Sequence, residues 1–235
     1  MPLTKKTLAV LLPAMLVSFL AGALAVQYKL FPLNYLSQLK KSASTDNRLP
    51  NAFYHRASFF AQHGRHDAEA VFVGDSLTAG AEWAEMFPEK RVVNRGIAGD
   101  RTQGVLARMD SIYASGAKKA FVMIGRNDFN RGASAEDVLS NYIRILQGLT
   151  AHGIHVYVQS TLLGGRLRGE ANVRITALNR RLQQLADNDP RLTFIDLNAG
   201  LAPSGELEPR FSRDGIHLNG EGYAVWKTAI MPYLD

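Results

Sequence analysis

The chain has 235 residues, enough for one ordinary domain and an appendage, with 46% hydrophobic and 20% charged residues, a composition that excludes a disordered chain. It has no cysteine, which excludes disulfides, thiolate metal sites and a cysteine nucleophile. The formal charge of +6 is lopsided: residues 1–50 carry six Lys/Arg and one acid, while residues 51–235 carry 21 bases and 20 acids. The folded part therefore lacks the basic footprint that nucleic-acid binding requires.

From Thr7 to Val26 runs an uncharged, mostly apolar stretch preceded by Lys5 and Lys6. Twenty helical residues span about 30 Å, the thickness of a bilayer's hydrocarbon core. The flanking lysines predict a cytoplasmic N-terminus and an extracytoplasmic remainder, periplasmic or extracellular. The stretch exceeds the usual apolar length of a signal peptide, which favours an uncleaved signal-anchor over cleavage near Ala25. Residues 1–26 thus read as a cytoplasmic stub and transmembrane anchor, 27–50 as a stalk, and 51–235 as the domain.

Within the domain, apolar runs of strand length occur at 70–73, 91–94, 120–124, 155–158 and 192–197. Helical stretches fall at about 77–86, 102–115, 135–152, 171–187 and 220–234. Such alternation predicts a parallel sheet covered by helices on both faces. Ser134 with Asp137, and Asn219, are the expected caps of the 135–152 and 220–234 helices.

In open α/β sheets, functional residues cluster at the carboxyl ends of strands. Four polar loops meet this condition or precede the last helix: Gly74-Asp75-Ser76, Asn94 to Asp100, Gly125-Arg126-Asn127-Asp128 and Asp214-Gly215-Ile216-His217. Ser76 opens a helix and is the candidate nucleophile. His217 is the candidate base, with Asp214 three residues earlier to orient its ring. The N–H groups of Ser76 and Gly99 and the amide of Asn127 are candidate oxyanion donors. The alternatives are an N-cap serine, a loop glycine and a turn asparagine. His55, His63, His66, His152 and His155 lack comparable context and read as surface or packing residues.

Together, Gly74-Asp75-Ser76, Gly99, Gly125-x-Asn127-Asp128 and Asp214-x-x-His217 resemble the four signature blocks of the SGNH (GDSL-like) hydrolases. The stretches 94–110 and 161–173 further resemble the branch that contains the platelet-activating-factor acetylhydrolase α-subunits. The resemblance spans about residues 68–235. It implies a three-layer α/β/α fold with a five-stranded parallel, flavodoxin-like sheet, no metal or other cofactor, and ester hydrolysis through an acyl-enzyme. It also implies the roles just given for Ser76, Gly99, Asn127, Asp214 and His217.

Arg126 departs from the small residue or threonine common at that position. It is expected to meet the substrate or to pair with Asp100 or Asp128. Arg101 carries the same ambiguity, and Trp83 is a candidate sugar platform that a packing role would exclude. No Gly-x-Ser-x-Gly elbow and no Gly-x-Gly-x-x-Gly after the first strand are present, which disfavours α/β-hydrolase and dinucleotide-binding readings. The expected substrate is a short acyl ester, acetyl foremost, of a carbohydrate or lipid-like alcohol. Alternatives are a lysophospholipase, a thioesterase, an O-acyltransferase with the same triad, and a non-enzymatic binding factor; the oligomeric state is left open.

Overall fold

The computed structural model describes residues 49–234 and, outside them, only Ser18. The apolar stretch at 7–26, apart from Ser18, and the stalk, apart from Leu49 and Pro50, lie outside the described residues. Among the described residues, no helix is long and apolar enough to cross a membrane. The described residues 49–234 belong to one compact unit.

The unit opens with helix α1 (Asn51–His63), which the strand-and-helix pattern after residue 65 did not include. Phe53 and Phe60, seven residues apart, form its buried stripe and pack with Ile97. Strand β1 (Ala70–Gly74) follows and is buried along its whole length. Val71 and Val73 enter one core while Ala70 and Phe72 enter the other, as the two-residue period of a strand requires.

The expected 77–86 helix is two short ones, α2 (Ser76–Ala79) and α3 (Trp83–Met86), separated at Gly80. Strand β2 (Val92–Gly96) precedes α4 (Thr102–Ala107) and α5 (Met109–Tyr113). These two replace the expected 102–115 helix, because Arg108 leaves helical geometry at φ −126°, ψ 18°. Next come β3 (Lys119–Met123), α6 (Arg126–Asn130), α7 (Ala135–Ala151) and β4 (His155–Gln159). The chain ends with α8 (Gly169–Asp187), β5 (Leu192–Ile195), α9 (Asn198–Leu201) and α10 (Gly220–Ile230). Ser134 Oγ accepts from Asp137 N at 3.0 Å, and Asn219 Oδ1 from Gly222 N at 3.0 Å, so both expected caps form.

All strand pairs are parallel, in the order β2-β1-β3-β4-β5. One core carries Val105 of α4, Ile112 of α5, Tyr142 of α7 and Ile175 of α8. The other carries Leu77 of α2, Trp83 of α3, Leu201 of α9 and Trp226 of α10. Helices thus cover both faces of the sheet in three layers. Strand order reverses around β1, whose neighbours are β2 and β3, and the crevice beyond such a switch point is where ligands bind in open α/β sheets.

Candidate active site

Ser76 is the first residue of α2, directly after β1. Asp75 caps that helix, its Oδ1 accepting from Leu77 N at 3.0 Å. Gly96, at the end of the neighbouring strand, lets α2 approach closely. A Cβ there would meet Ala79 N at 2.2 Å, a backbone clash that no rotamer change relieves. At the end of β3, Gly125 adopts φ +118°, a conformation side chains disfavour, and turns the chain into α6 with Asn127 in its first turn.

Ser76 Oγ lies 3.0 Å from His217 Nε2, although the two residues are 141 positions apart in the chain. His217 Nδ1 lies 2.7 Å from Asp214 Oδ2. Asp214 Oδ1 accepts from His217 N at 2.8 Å, Ile216 N at 2.9 Å and Ser212 Oγ at 3.2 Å. The His217 ring and backbone N–H groups hold the Asp214 carboxyl well below the usual carboxylate range. An ionised Asp214 keeps the proton on Nδ1 and leaves Nε2 with a lone pair toward the serine hydroxyl. Such a chain can take a proton from Oγ as it attacks a carbonyl.

The N–H groups of Ser76 and Gly99 make no hydrogen bond to another described residue. The amide of Asn127 bridges the same loops, donating to the Asp100 carbonyl at 3.0 Å and lying 3.4 Å from Asp75 Oδ2. Behind them is a buried polar layer. Asp100 Oδ2 accepts from Arg108 Nε at 3.0 Å and Nη2 at 2.9 Å. Asp128 accepts from the Thr102 hydroxyl at 2.6 Å and the Thr102 N–H at 3.1 Å, and Asn141 donates to that hydroxyl at 3.1 Å. Burial pushes the Asp75 carboxyl up to about 6, against the opposing pull of the Leu77 N–H and the Arg126 charge.

Three expectations about substrate contacts need correction. Trp83 is 2% exposed, stacked on Phe72 at 3.8 Å and edge-on to Trp226, with its indole N–H on the Thr78 carbonyl. It offers no face to a sugar because both of its faces belong to the core. Arg126 does not pair with Asp100 or Asp128, which bind Arg108 and Thr102 instead. It is buried and donates to the Leu162 carbonyl, with Nε and Nη1 lacking partners among the described residues. Arg101 is also buried, which leaves little of it to meet a substrate.

Sequence reasoning missed a set of asparagines. Asn179 accepts from Thr161 N at 2.8 Å and donates to its carbonyl at 2.9 Å. Asn172 grips Gly164 in the same two-sided way, 2.8 Å each. Asn198 accepts from Leu163 N at 2.8 Å and donates to the Thr161 carbonyl at 3.1 Å. These amides hold the loop after β4, whose Gly165 N–H reaches the Gly215 carbonyl of the His217 loop at 2.9 Å. The available signal was two asparagines seven residues apart on the apolar stripe of α8, where asparagine is a poor helix former.

The GDSL-like Lipase/Acylhydrolase family matches residues 72–225. The chain belongs to this family. It is therefore a serine hydrolase acting on esters, an acylhydrolase. The bovine platelet-activating factor acetylhydrolase IB subunit alpha1 is 29% identical over 181 residues, covering 73% of this chain and 76% of that protein. A GDSL-like lipase from Bacteroides thetaiotaomicron superposes with a TM-score of 0.68 at 21% identity, over 77% of this chain and 96% of its own. An acetylxylan esterase from Geobacillus stearothermophilus superposes with a TM-score of 0.61 at 16% identity, over 72% and 95%. At these identities the two structures share its fold, a three-layer sandwich around a parallel sheet.

Proposed function

We propose that this acylhydrolase removes short acyl groups, acetyl foremost, from a carbohydrate or lipid-like alcohol, with Ser76 as nucleophile, His217 as base and Asp214 as its orienting partner. The observation that carries the reading is the unbroken series Ser76 Oγ, His217 Nε2, His217 Nδ1, Asp214 Oδ2, with links of 3.0 and 2.7 Å.

In this mechanism His217 Nε2 takes the Ser76 proton as Oγ bonds to the acyl carbon. The carbonyl oxygen becomes an oxyanion that receives the N–H groups of Ser76 and Gly99 and the Asn127 amide. The positive end of α2 adds little, since the helix has only four residues. The C–O bond to the alcohol then breaks, and the alkoxide leaves with the proton from His217. Water, deprotonated by the same imidazole, attacks the acyl-Ser76 ester and releases the acid. The side chains of Asp214 and His217 are 54% and 53% exposed, so water reaches this half of the site. The large apolar residues of the loops after β2 and β3, Ile97 and Phe129, are buried in the core, so these loops suit short acyl groups better than lipid tails.

Replacing Ser76 with Ala is expected to abolish hydrolysis of p-nitrophenyl acetate and covalent labelling by a fluorophosphonate. Labelling that persisted in the variant would remove Ser76 from its role. The proposal extends to placement: residues 7–26 anchor the chain in a membrane with the catalytic domain on the extracytoplasmic side. Full-length protein is expected to stay with membranes through alkaline carbonate extraction, and a soluble product beginning near Val26 would instead mean cleavage.

A further inference from the structure

Gly99 sits in a four-residue turn after β2. Ile97 O accepts from Asp100 N at 3.1 Å, and Gly99 takes φ +74° as the third residue of the turn. The ends of the turn are tied down: Ile97 N donates to the Gly74 carbonyl at 3.1 Å, and the Asp100 carboxylate holds Arg108. The Gly99 N–H bonds to no other described residue, and glycine has no side chain with which to anchor itself. Its aim therefore depends on what packs around the turn.

What packs there is α1. Ile97 is fully buried, yet it belongs to neither of the two cores that flank the sheet. The other members of its cluster are Phe53, Phe60, Ala52 and Ala57 of α1 and Leu49 just before that helix. Among the described residues, a Cβ added at Gly99 would meet Pro50 alone, its Cγ at 3.5 Å and its Cβ at 3.8 Å. Leu49 Cδ2 would lie 3.2 Å from a Cβ added at Gly104, in the helix that follows the turn. Pro50 and Phe53 move as one piece, because the Pro50 carbonyl accepts from Phe53 N at 2.8 Å. Arg95, near the end of β2, lies over the Phe60 ring at 4.7 Å and adds a second tie between strand and helix. The family match begins at residue 72, beyond the end of α1 at His63.

We propose that α1 and Pro50 form a positioning element of the active site, clamping the Ile97–Asp100 turn so that the Gly99 N–H stays aimed at the oxyanion. Phe53 and Phe60 grip the turn through Ile97, and Pro50 seats against Gly99 itself. A catalytic donor must be held within about 0.5 Å of its productive place by groups that are themselves locked by packing. These residues act through Gly99, so their role rests on the proposed part of Gly99 as an oxyanion donor.

The test uses full-length protein carrying Phe53→Ala or Pro50→Ala. The first opens a gap beside Ile97, and the second removes the Cγ that lies nearest Gly99. In each variant kcat on p-nitrophenyl acetate is expected to fall about fivefold or more with KM within about twofold, because a misplaced oxyanion donor weakens the transition state and not the bound ester. Hydrogen exchange is expected to quicken at the Ile97 and Asp100 amides, which tie and close the turn. Phe53→Leu keeps an apolar side chain against Ile97 and should recover most of kcat. Leu192→Ala, in another core at the amino end of β5, is the control: it should lower thermal stability as Phe53→Ala does and leave kcat within about twofold. If Phe53→Ala does not fold, Pro50→Ala decides alone, since Pro50 is only half-buried. A kcat within about twofold of the parent in the folded variants, or an equal loss in Leu192→Ala, overturns the inference. A parent that neither hydrolyses p-nitrophenyl acetate nor is labelled at Ser76 overturns the catalytic reading instead; exchange then decides whether α1 holds the turn, and unchanged rates in both variants overturn that too.

Discussion

The two halves of the candidate site are built by opposite means. Ser76, Gly99 and Asn127 sit at the ends of β1, β2 and β3, backed by Asp75, Asp100, Arg108 and Asp128, all buried. Asp214 and His217 sit half in water on one loop, held chiefly by contacts within four consecutive residues. The carboxyls follow suit. Burial pushes Asp75 up, whereas donated hydrogen bonds push Asp214 down. The half with Ser76 takes its precision from a packed sheet, and the half with Asp214 and His217 takes it from a local turn that tolerates solvent. Substitutions in the exposed half should therefore alter chemistry with little change in stability, while those in the buried half should reach both.

The sharpest break is Asp214→Asn. Asparagine keeps Oδ1 for the backbone N–H groups but turns an N–H toward His217 Nδ1, which then holds a lone pair and shifts the ring proton to Nε2. Ser76 loses its base, and kcat is expected to fall by about 10⁴-fold. Stability should change by less than about 1 kcal/mol, because an exposed pair contributes little. Kinetics and a urea titration on the same samples read both quantities; a loss under tenfold would break the comparison on the exposed side.

Asn127→Ala acts on the buried side, where kcat is expected to drop about 10²–10³-fold with KM nearly unchanged, as for loss of one oxyanion donor. An effect below threefold would reduce Asn127 to a tie between the Asp75 and Asp100 loops.

The smallest expected effect is a pH dependence. Asp75 has a folded pKa of about 6 against an ordinary value of 3.8. A raised carboxyl favours the folded state fully below about pH 4, and that contribution is lost as pH rises through about 6. Asparagine does not titrate and can still accept from Leu77 N. The stability of Asp75→Asn relative to the parent should therefore rise by up to about 3 kcal/mol between pH 4 and pH 8. Denaturation at several pH values measures it, and a flat difference would mean that Asp75 is solvated like Asp214.

Much of this was legible in the chain because it depends on short-range pattern. Five apolar runs bounded by glycine and polar residues specify buried parallel strands, since such strands need apolar side chains on both faces. The Asp214-x-x-His217 spacing is itself a local turn, so its internal hydrogen bonds could be anticipated from four residues. Caps at Ser134 and Asn219 are equally local. Only the tertiary structure could bring Ser76 to within 3.0 Å of His217, because that contact depends on strand order and helix packing across 141 positions. The fates of Trp83 and Arg126 were decided in the same way. An indole or a guanidinium has the same intrinsic chemistry at the rim or in the core, and which place it takes is settled by neighbours distant in sequence: Phe72 and Trp226 for one, Leu162 for the other. The pairing of Asp100 with Arg108 and the asparagine grip on residues 161–164 likewise arise from burial. A polar group removed from water must find a partner, and the folded chain determines which one is within reach.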